Sequence, residues 1–293
     1  MANIFELDRY RFHFRAIDAV RFPAQKSGNV FRGAFGMILR NIACEPQCPG
    51  AATCTRRREC AYARLFEPSL AAAVPRGFAN PPRPFVFRCR HLDAATFPPG
   101  ADFFIDVHVF ESRFDARPWF ERVFERLLGT GLGPGRSRAQ LTKTDCLGHM
   151  NICLDPPSDP ITRIWVRFVT PTELKAAGEV RNEPNFADLF ARVRDRLSSL
   201  SMFYGRERLA VDFAAMAARA ASVRTARMAL QYTEASRRST RTGQTHSIGG
   251  LTGDMEFMGN LGEFLPWMAC ARWTGVGRHT VWGNGELHVI RAV

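Results

Sequence analysis

One short pattern occurs twice in this chain. Thr130-Gly131-Leu132-Gly133 and Thr274-Gly275-Val276-Gly277 each follow an amphipathic helical stretch and precede a strand-like one. They lie 144 residues apart, roughly one ordinary domain length. Around each copy the periodicity runs strand, helix, two strands, helix, strand. A duplicated β-α-β-β-α-β unit explains both the spacing and the shared context. The expected class is α+β, with units at 1–154 and 161–293 and the turn-rich DPPSDP at 155–160 between them.

The elements follow from side-chain spacing. Residues 7–16 alternate as a strand does. In 28–43, Val30, Phe31, Ala34, Phe35, Ile38, Leu39 and Ile42 form one helical stripe, leaving Arg32, Gly33, Gly36, Met37 and Arg40 on the other face. A second helix is expected at 118–128, with Pro118 in its first turn and Gly129 as its cap. The glycine loop 129–138 then leads into a strand. In the second half, Phe186, Leu189, Phe190, Val193, Leu197 and Leu200 mark a helix. A helical stretch and a long strand pair occupy 205–252. A helix near 261–272 precedes the loop 275–285 and the last strand.

Charge narrows the function. Lys and Arg total 40 against 28 Asp and Glu, a net charge of +12, and only Lys26, Lys143 and Lys175 are lysines. A GC-rich genome accounts for the arginine-to-lysine ratio but not for the excess of positive charge. A basic surface points to a polyanion, and arginine is the better bidentate phosphate ligand. No apolar run reaches the ~18 residues that span a bilayer. The first residues carry charges where a signal peptide needs an apolar stretch. The expected location is cytoplasmic, with no membrane partner.

Three features carry chemistry. Glycines let backbone amides approach phosphates, and Arg136, Arg138 and Arg278 sit in or beside the two loops. The other reading is a tight helix-to-strand turn with no ligand. Both loops follow helices, and GxxxxGK[ST] is absent, which excludes a nucleotide-hydrolysing P-loop. The stretch 219–246 reads as a basic finger between two strands, with Arg224, Arg227, Arg237, Arg238 and Arg241 along it. Its alternative is a solvated loop. His246 and His279 lie beside glycines and arginines, whereas HExxH and GxSxG are missing. Finally, Cys44, Cys48, Cys54 and Cys60 space as C-x3-C-x5-C-x5-C. Four thiolates can enclose a structural zinc that braces the insert 44–60, and they would leave it no open position for catalysis. Longer gaps than the usual CxxC knuckle keep four unrelated thiols as the alternative.

Motif order then suggests a family. FRGAFGMILRNIAC, the insert ending ECAYARLFEP, PRPFVF, and the loops GTGLGPGRSR and GVGRHTVWGNGEL resemble the CRISPR RNA-processing endoribonucleases of the RAMP superfamily, over nearly the whole chain. The resemblance implies two tandem ferredoxin-like (RRM-like) domains, here with a Cys-rich insert and an arginine-rich finger. It implies binding of the repeat stem-loop of precursor CRISPR RNA and one metal-independent cut per repeat. The 2′-OH would attack the adjacent phosphate, leaving a 2′,3′-cyclic phosphate and a 5′-OH. The product would stay bound among other effector-complex subunits. Catalysis would need no cofactor, and zinc is not a general family property.

The chain departs from the family where it matters. Relatives often carry a histidine just after FRGAFG; here the residue is Met37, which cannot transfer a proton. Arginine stays protonated and cannot act as the base, yet it can stabilise a phosphorane, and divergent type IV-like members resemble this chain in that respect. The expected catalytic set is Arg21, Arg32, Arg40 and Arg241, with His246 or His279 supplying a proton. The expected RNA ligands are Lys26, Arg136, Arg138, Arg224, Arg227, Arg237, Arg238 and Arg278. Two other readings stay open: a non-catalytic CRISPR RNA-binding subunit, and a zinc-dependent nucleic-acid protein outside CRISPR.

Overall fold

A computed structural model describes residues 3–45, 47–48, 50, 53–68, 81–176, 178–238 and 244–293. Two compact units emerge: Glu6–Met150 with Ser199–Arg206, and Met1–Phe5 with Asn151–Ser198 and Glu207–Val293. The first is built from β1 (Ile4–Ala16), α1 (Ser27–Ala43), β2 (Phe85–Arg88), β3 (Asp102–Val109), α2 (Arg117–Glu125) and β4 (Ala139–Cys153). Its sheet order is β2-β3-β1-β4. The second uses β5 (Arg163–Thr172), α3 (Phe186–Tyr204) as far as Ser198, the added α4 (Phe213–Ala221), β6 (Arg224–Thr233), β7 (Gly250–Met258), α5 (Leu265–Thr274) and β8 (Leu287–Ala292). Its order is β6-β7-β5-β8. In each sheet the first and third strands are central and the second and fourth are edges. This is the ferredoxin-like arrangement, occurring twice in tandem.

Alternation and helical spacing decide which side chains enter the cores. Phe5, Leu7, Phe12, Phe14 and Ala16 are the buried set of β1. Phe31, Ala34, Phe35, Ile38 and Leu39 are buried on α1, with Val30 and Ile42 at the margin. Aromatic rings meet between the layers: Phe35 and Phe120 lie 4.5 Å apart, Phe12 and Phe124 4.8 Å. In the second unit Phe190 packs on Phe264 at 4.6 Å and Phe186 on Phe257 at 5.1 Å. Each such ring contributes roughly 2–3 kcal/mol over leaving it in water.

Some details differ from the periodic reading. Gly36 is not on the outer face of α1: it is buried, and a Cβ there would lie 2.0 Å from the Phe66 ring. The helix expected through residue 128 stops at Glu125, and a separate turn follows at Leu127–Thr130. The last helix starts at Leu265, where Pro266 suits the first turn. The strand pair β6–β7 continues as a short ladder, Ser236–Arg238 against Thr245–Ser247, with Arg237 opposite His246. Arg241, expected in this finger, lies outside the described residues. Among the described residues no helix is long and apolar enough to cross a membrane.

Candidate nucleic-acid interface

The two glycine loops are one piece of backbone made twice. Gly131 ends its helix at φ 71°, ψ 173°, and Gly275 at φ 67°, ψ 167°. Gly133 and Gly277 follow at φ 67° and 77°. This left-handed region strains any residue with a Cβ. A Cβ on Gly131 would strike the Arg136 carbonyl at 2.1 Å, and one on Gly277 the Glu173 carbonyl at 2.3 Å. Each loop is closed by the amide after its first glycine: Leu132 donates to Ser137 at 2.8 Å, and Val276 to Gly285 at 2.9 Å.

In the first unit the loop joins three other segments. Gly133 lies against Val30, near the start of α1 where Lys26 precedes the helix. Ser137 Oγ donates to the Ala19 carbonyl, and the Arg138 guanidinium reaches Asp18 at 2.8 Å. That bond, backed by the Arg138 amide, holds the Asp18 carboxyl down at about 2. Arg138 therefore fastens the loop to 17–19, its charge already met. Arg136 is exposed with φ 48° and has no such acidic partner among the described residues, so its charge faces water. Arg21 is exposed in the two-residue strand Val20–Arg21. On α1, Arg40 is exposed, Met37 is 50% exposed, and Arg32 lays its guanidinium 4.6 Å from the Phe66 ring centre.

The second unit gathers the finger and the other loop. His279, at φ 62°, stacks on Trp282 with ring centres 4.4 Å apart, and Arg237 covers the same indole at 4.9 Å. Arg278 reaches buried Glu173 at 2.7 Å. Burial, then the positive charge of Arg278, pulls the His279 imidazole down to about 4, against a hydrogen bond to Ser247 backbone that raises it. The ring is neutral at pH 7, with Nε2 shut away from solvent. Its surroundings suit a wedge between loop and finger better than a freely titrating proton donor. His246 is exposed. Arg224 and Arg227 are exposed along β6, and Arg238 sits in the ladder opposite Thr245. Trp282, Glu173 and Asp18 organise these loops and were not singled out from sequence. Nothing in a lone Trp or acid marks its partner.

The four insert cysteines do meet. Contacts link Cys54 to Cys48, Cys48 to Cys44, and Cys44 to Cys60, and all four face a cavity of about 360 Å³ beside Trp119. Burial and neighbouring thiols push Cys44 up to about 12, while a backbone amide draws Cys48 down. Among the described residues, however, no group of three or more His, Cys, Asp or Glu is arranged to hold a metal ion. The expected zinc finds no support in this arrangement.

Known proteins align with this architecture. Residues 5–158 match the AF_1859_N family, an N-terminal domain, and residues 166–287 match the CRISPR-associated endoribonuclease Cas6 family. No curated protein sequence matches the chain. Among solved structures, a Cas6 (TTHB231) product complex is 16% identical, covering 97% of this chain and 98% of that one, with a TM-score of 0.59. Thermus thermophilus Cas6 (TTHB231) gives 14% identity, 100% and 99% coverage, and 0.56. A Cas6 (TTHA0078) product complex gives 16%, 98% and 100%, and 0.53. At such identities the likeness speaks for the fold, and the two family models, consecutive along the sequence, carry the assignment: the chain belongs to the AF_1859_N family over residues 5–158 and is Cas6-like over residues 166–287.

Proposed function

We propose that the protein binds the repeat stem-loop of precursor CRISPR RNA and cuts it once per repeat without a metal ion. The observation that carries this reading is the pair of glycine loops, built with the same left-handed geometry and each flanked by arginine. The domains are taken as 1–154 and 161–293, one loop in each. Exposed Arg136 and the arginines of β6 supply charge for the RNA backbone, while Arg138 and Arg278 hold the loops in shape.

The reaction needs the 2′-OH in line with the leaving 5′ oxygen, and rigid alignment supplies much of the rate. As the P–O bond to the 5′ oxygen breaks, a 2′,3′-cyclic phosphate forms and a proton passes to the 5′ oxygen. Arg40, with Arg21 and Arg32 as further cations, would stabilise charge on the phosphorane oxygens. Arg241 is assigned to the same role from sequence. His246 is the exposed candidate for proton transfer, and His279 is better suited to positioning. The product would remain bound as part of an effector complex.

The test is incubation with the cognate repeat RNA in EDTA. One cut leaving a cyclic phosphate, abolished when the ribose upstream carries hydrogen at its 2′ position, is the expected result. Tight binding with no cut would favour the second reading, a non-catalytic RNA-binding subunit, which the exposed Met37 supports. A zinc on Cys44, Cys48, Cys54 and Cys60 would brace the insert and stay out of the chemistry. Metal analysis of the wild type against Cys48→Ser decides that point.

A further inference from the structure

The Cys-rich insert has no part in the reading above, yet it delivers charge to a defined place. Its last turn is drawn tight between two cysteines: the Arg57 amide donates to Cys54 at 3.4 Å, the Cys60 amide to Arg56 at 3.1 Å, and Cys60 Sγ to the Ala43 carbonyl at 3.9 Å. Three consecutive arginines ride on this turn. Arg56 is taken up by Glu45. Arg57 and Arg58 have no acidic partner among the described residues.

Arg57 and Arg58 line a cavity of about 220 Å³ together with Arg64, Arg113, Phe203 and Glu111. Glu111 is buried and already held: Arg64 reaches it at 3.2 Å and the Arg113 amide at 2.9 Å. The Arg113 guanidinium donates to the Gly205 carbonyl at 2.8 Å. Four guanidinium groups around one engaged carboxylate leave the cavity strongly positive, with two forks unspent. Guanidinium forks match phosphate oxygens two at a time. An aromatic wall beside a phosphate-binding group suits a nucleotide's base or ribose. A half-open recess of this size takes a single nucleotide group more readily than the broad face of an acidic protein.

We propose that this cavity is a further nucleotide subsite, taking one phosphate of the bound RNA on Arg57 and Arg58, apart from the glycine loops and the finger. The insert would then exist to hold that arginine turn in place. The inference rests on the RNA-binding function proposed above.

The experiment is fluorescence anisotropy with labelled repeat RNA over a salt series, comparing wild type, Arg57→Ala/Arg58→Ala and Arg58→Glu. Thermal melts confirm that each variant folds. The double variant should bind three- to tenfold more weakly, with a salt slope shallower by about 0.7 for one single-stranded phosphate, and Arg58→Glu should lose more. The cut position should not move. Wild-type affinity and slope in both variants would overturn the subsite and leave the RNA-binding function standing. A wild type that fails to bind repeat RNA would overturn both.

Discussion

Met37 and His279 pull the chemistry in opposite directions at the scale of single residues. Met37 stands half exposed on α1, at the position where the family resemblance implies a histidine, so placing one there should help. Met37→His should raise single-turnover cleavage of repeat RNA by about 10²-fold or more, the usual worth of a placed general base, with a new rise in rate near the histidine pKa. An unchanged rate would mean that the scissile phosphate sits elsewhere. His279 is a histidine whose environment removes it from titration. The folded ring stays neutral down to about pH 4, while the unfolded chain takes its proton near 6.5. Between those values the unfolded state binds more protons, so stability is full above pH 6.5 and drains away as pH falls toward 4. His279→Phe keeps a ring on Trp282 and removes the proton. Its melting temperature should therefore fall less than the wild type's between pH 6.5 and 4.5, as measured by scanning calorimetry. Parallel curves would show that the imidazole is not buried as described. Sequence marked both positions but could not tell their roles apart, because the difference lies in Trp282, Ser247 and Arg278, whose contacts only folding brings about.

Elements, by contrast, were largely written in the periodicity. The stripe on α1, the alternation of β1 and the repeated Thr-Gly-x-Gly turns give the duplicated topology directly, since helix and sheet faces impose those spacings. What stayed hidden were contacts between elements far apart in sequence. Gly36 reads as an outer-face residue because nothing local says that Phe66, thirty positions on, will lie across it. Gly36→Ala should cost about 1–3 kcal/mol, the usual price of overpacking, seen as a lower urea midpoint. Phe66→Leu in the same chain should recover part of that loss, so that the double variant is less destabilised than the two changes added. Strict additivity would mean that helix and ring do not touch. The same limit applies to the loops. Their glycines were legible, but the fastening of one to Asp18 and of the other to Glu173 was not.

For the whole molecule the question is how many of its arginines are available to RNA. A net charge of +12 suggests a cationic surface everywhere, yet much of it is met internally. On the first sheet Arg11 pairs with Asp106 and Arg15 with Asp102; on the second, Arg163 pairs with Glu256 and Arg167 with Asp254. Arg11–Asp106, Arg15–Asp102 and Arg167–Asp254 stand directly opposite in register, and Arg163 reaches Glu256 on the diagonal; such cross-strand pairs organise a sheet face without attracting a polyanion. Among the described residues, the exposed charge left without an ion pair includes Arg136, Arg224 and Arg227 of β6, and Arg58 in the insert's turn, besides Arg21 and Arg40. Affinity should therefore respond to where a charge is removed. Removing the Arg167–Asp254 pair as Arg167→Gln/Asp254→Asn leaves net charge unchanged and should alter neither affinity for repeat RNA nor its salt dependence. Arg136→Ala removes one cation and should flatten the plot of log affinity against log salt by about 0.7–0.9, one phosphate's worth of released counterions. Equal effects from the two variants would mean that RNA senses only the total charge, and an unchanged slope for Arg136→Ala would take that loop out of the interface.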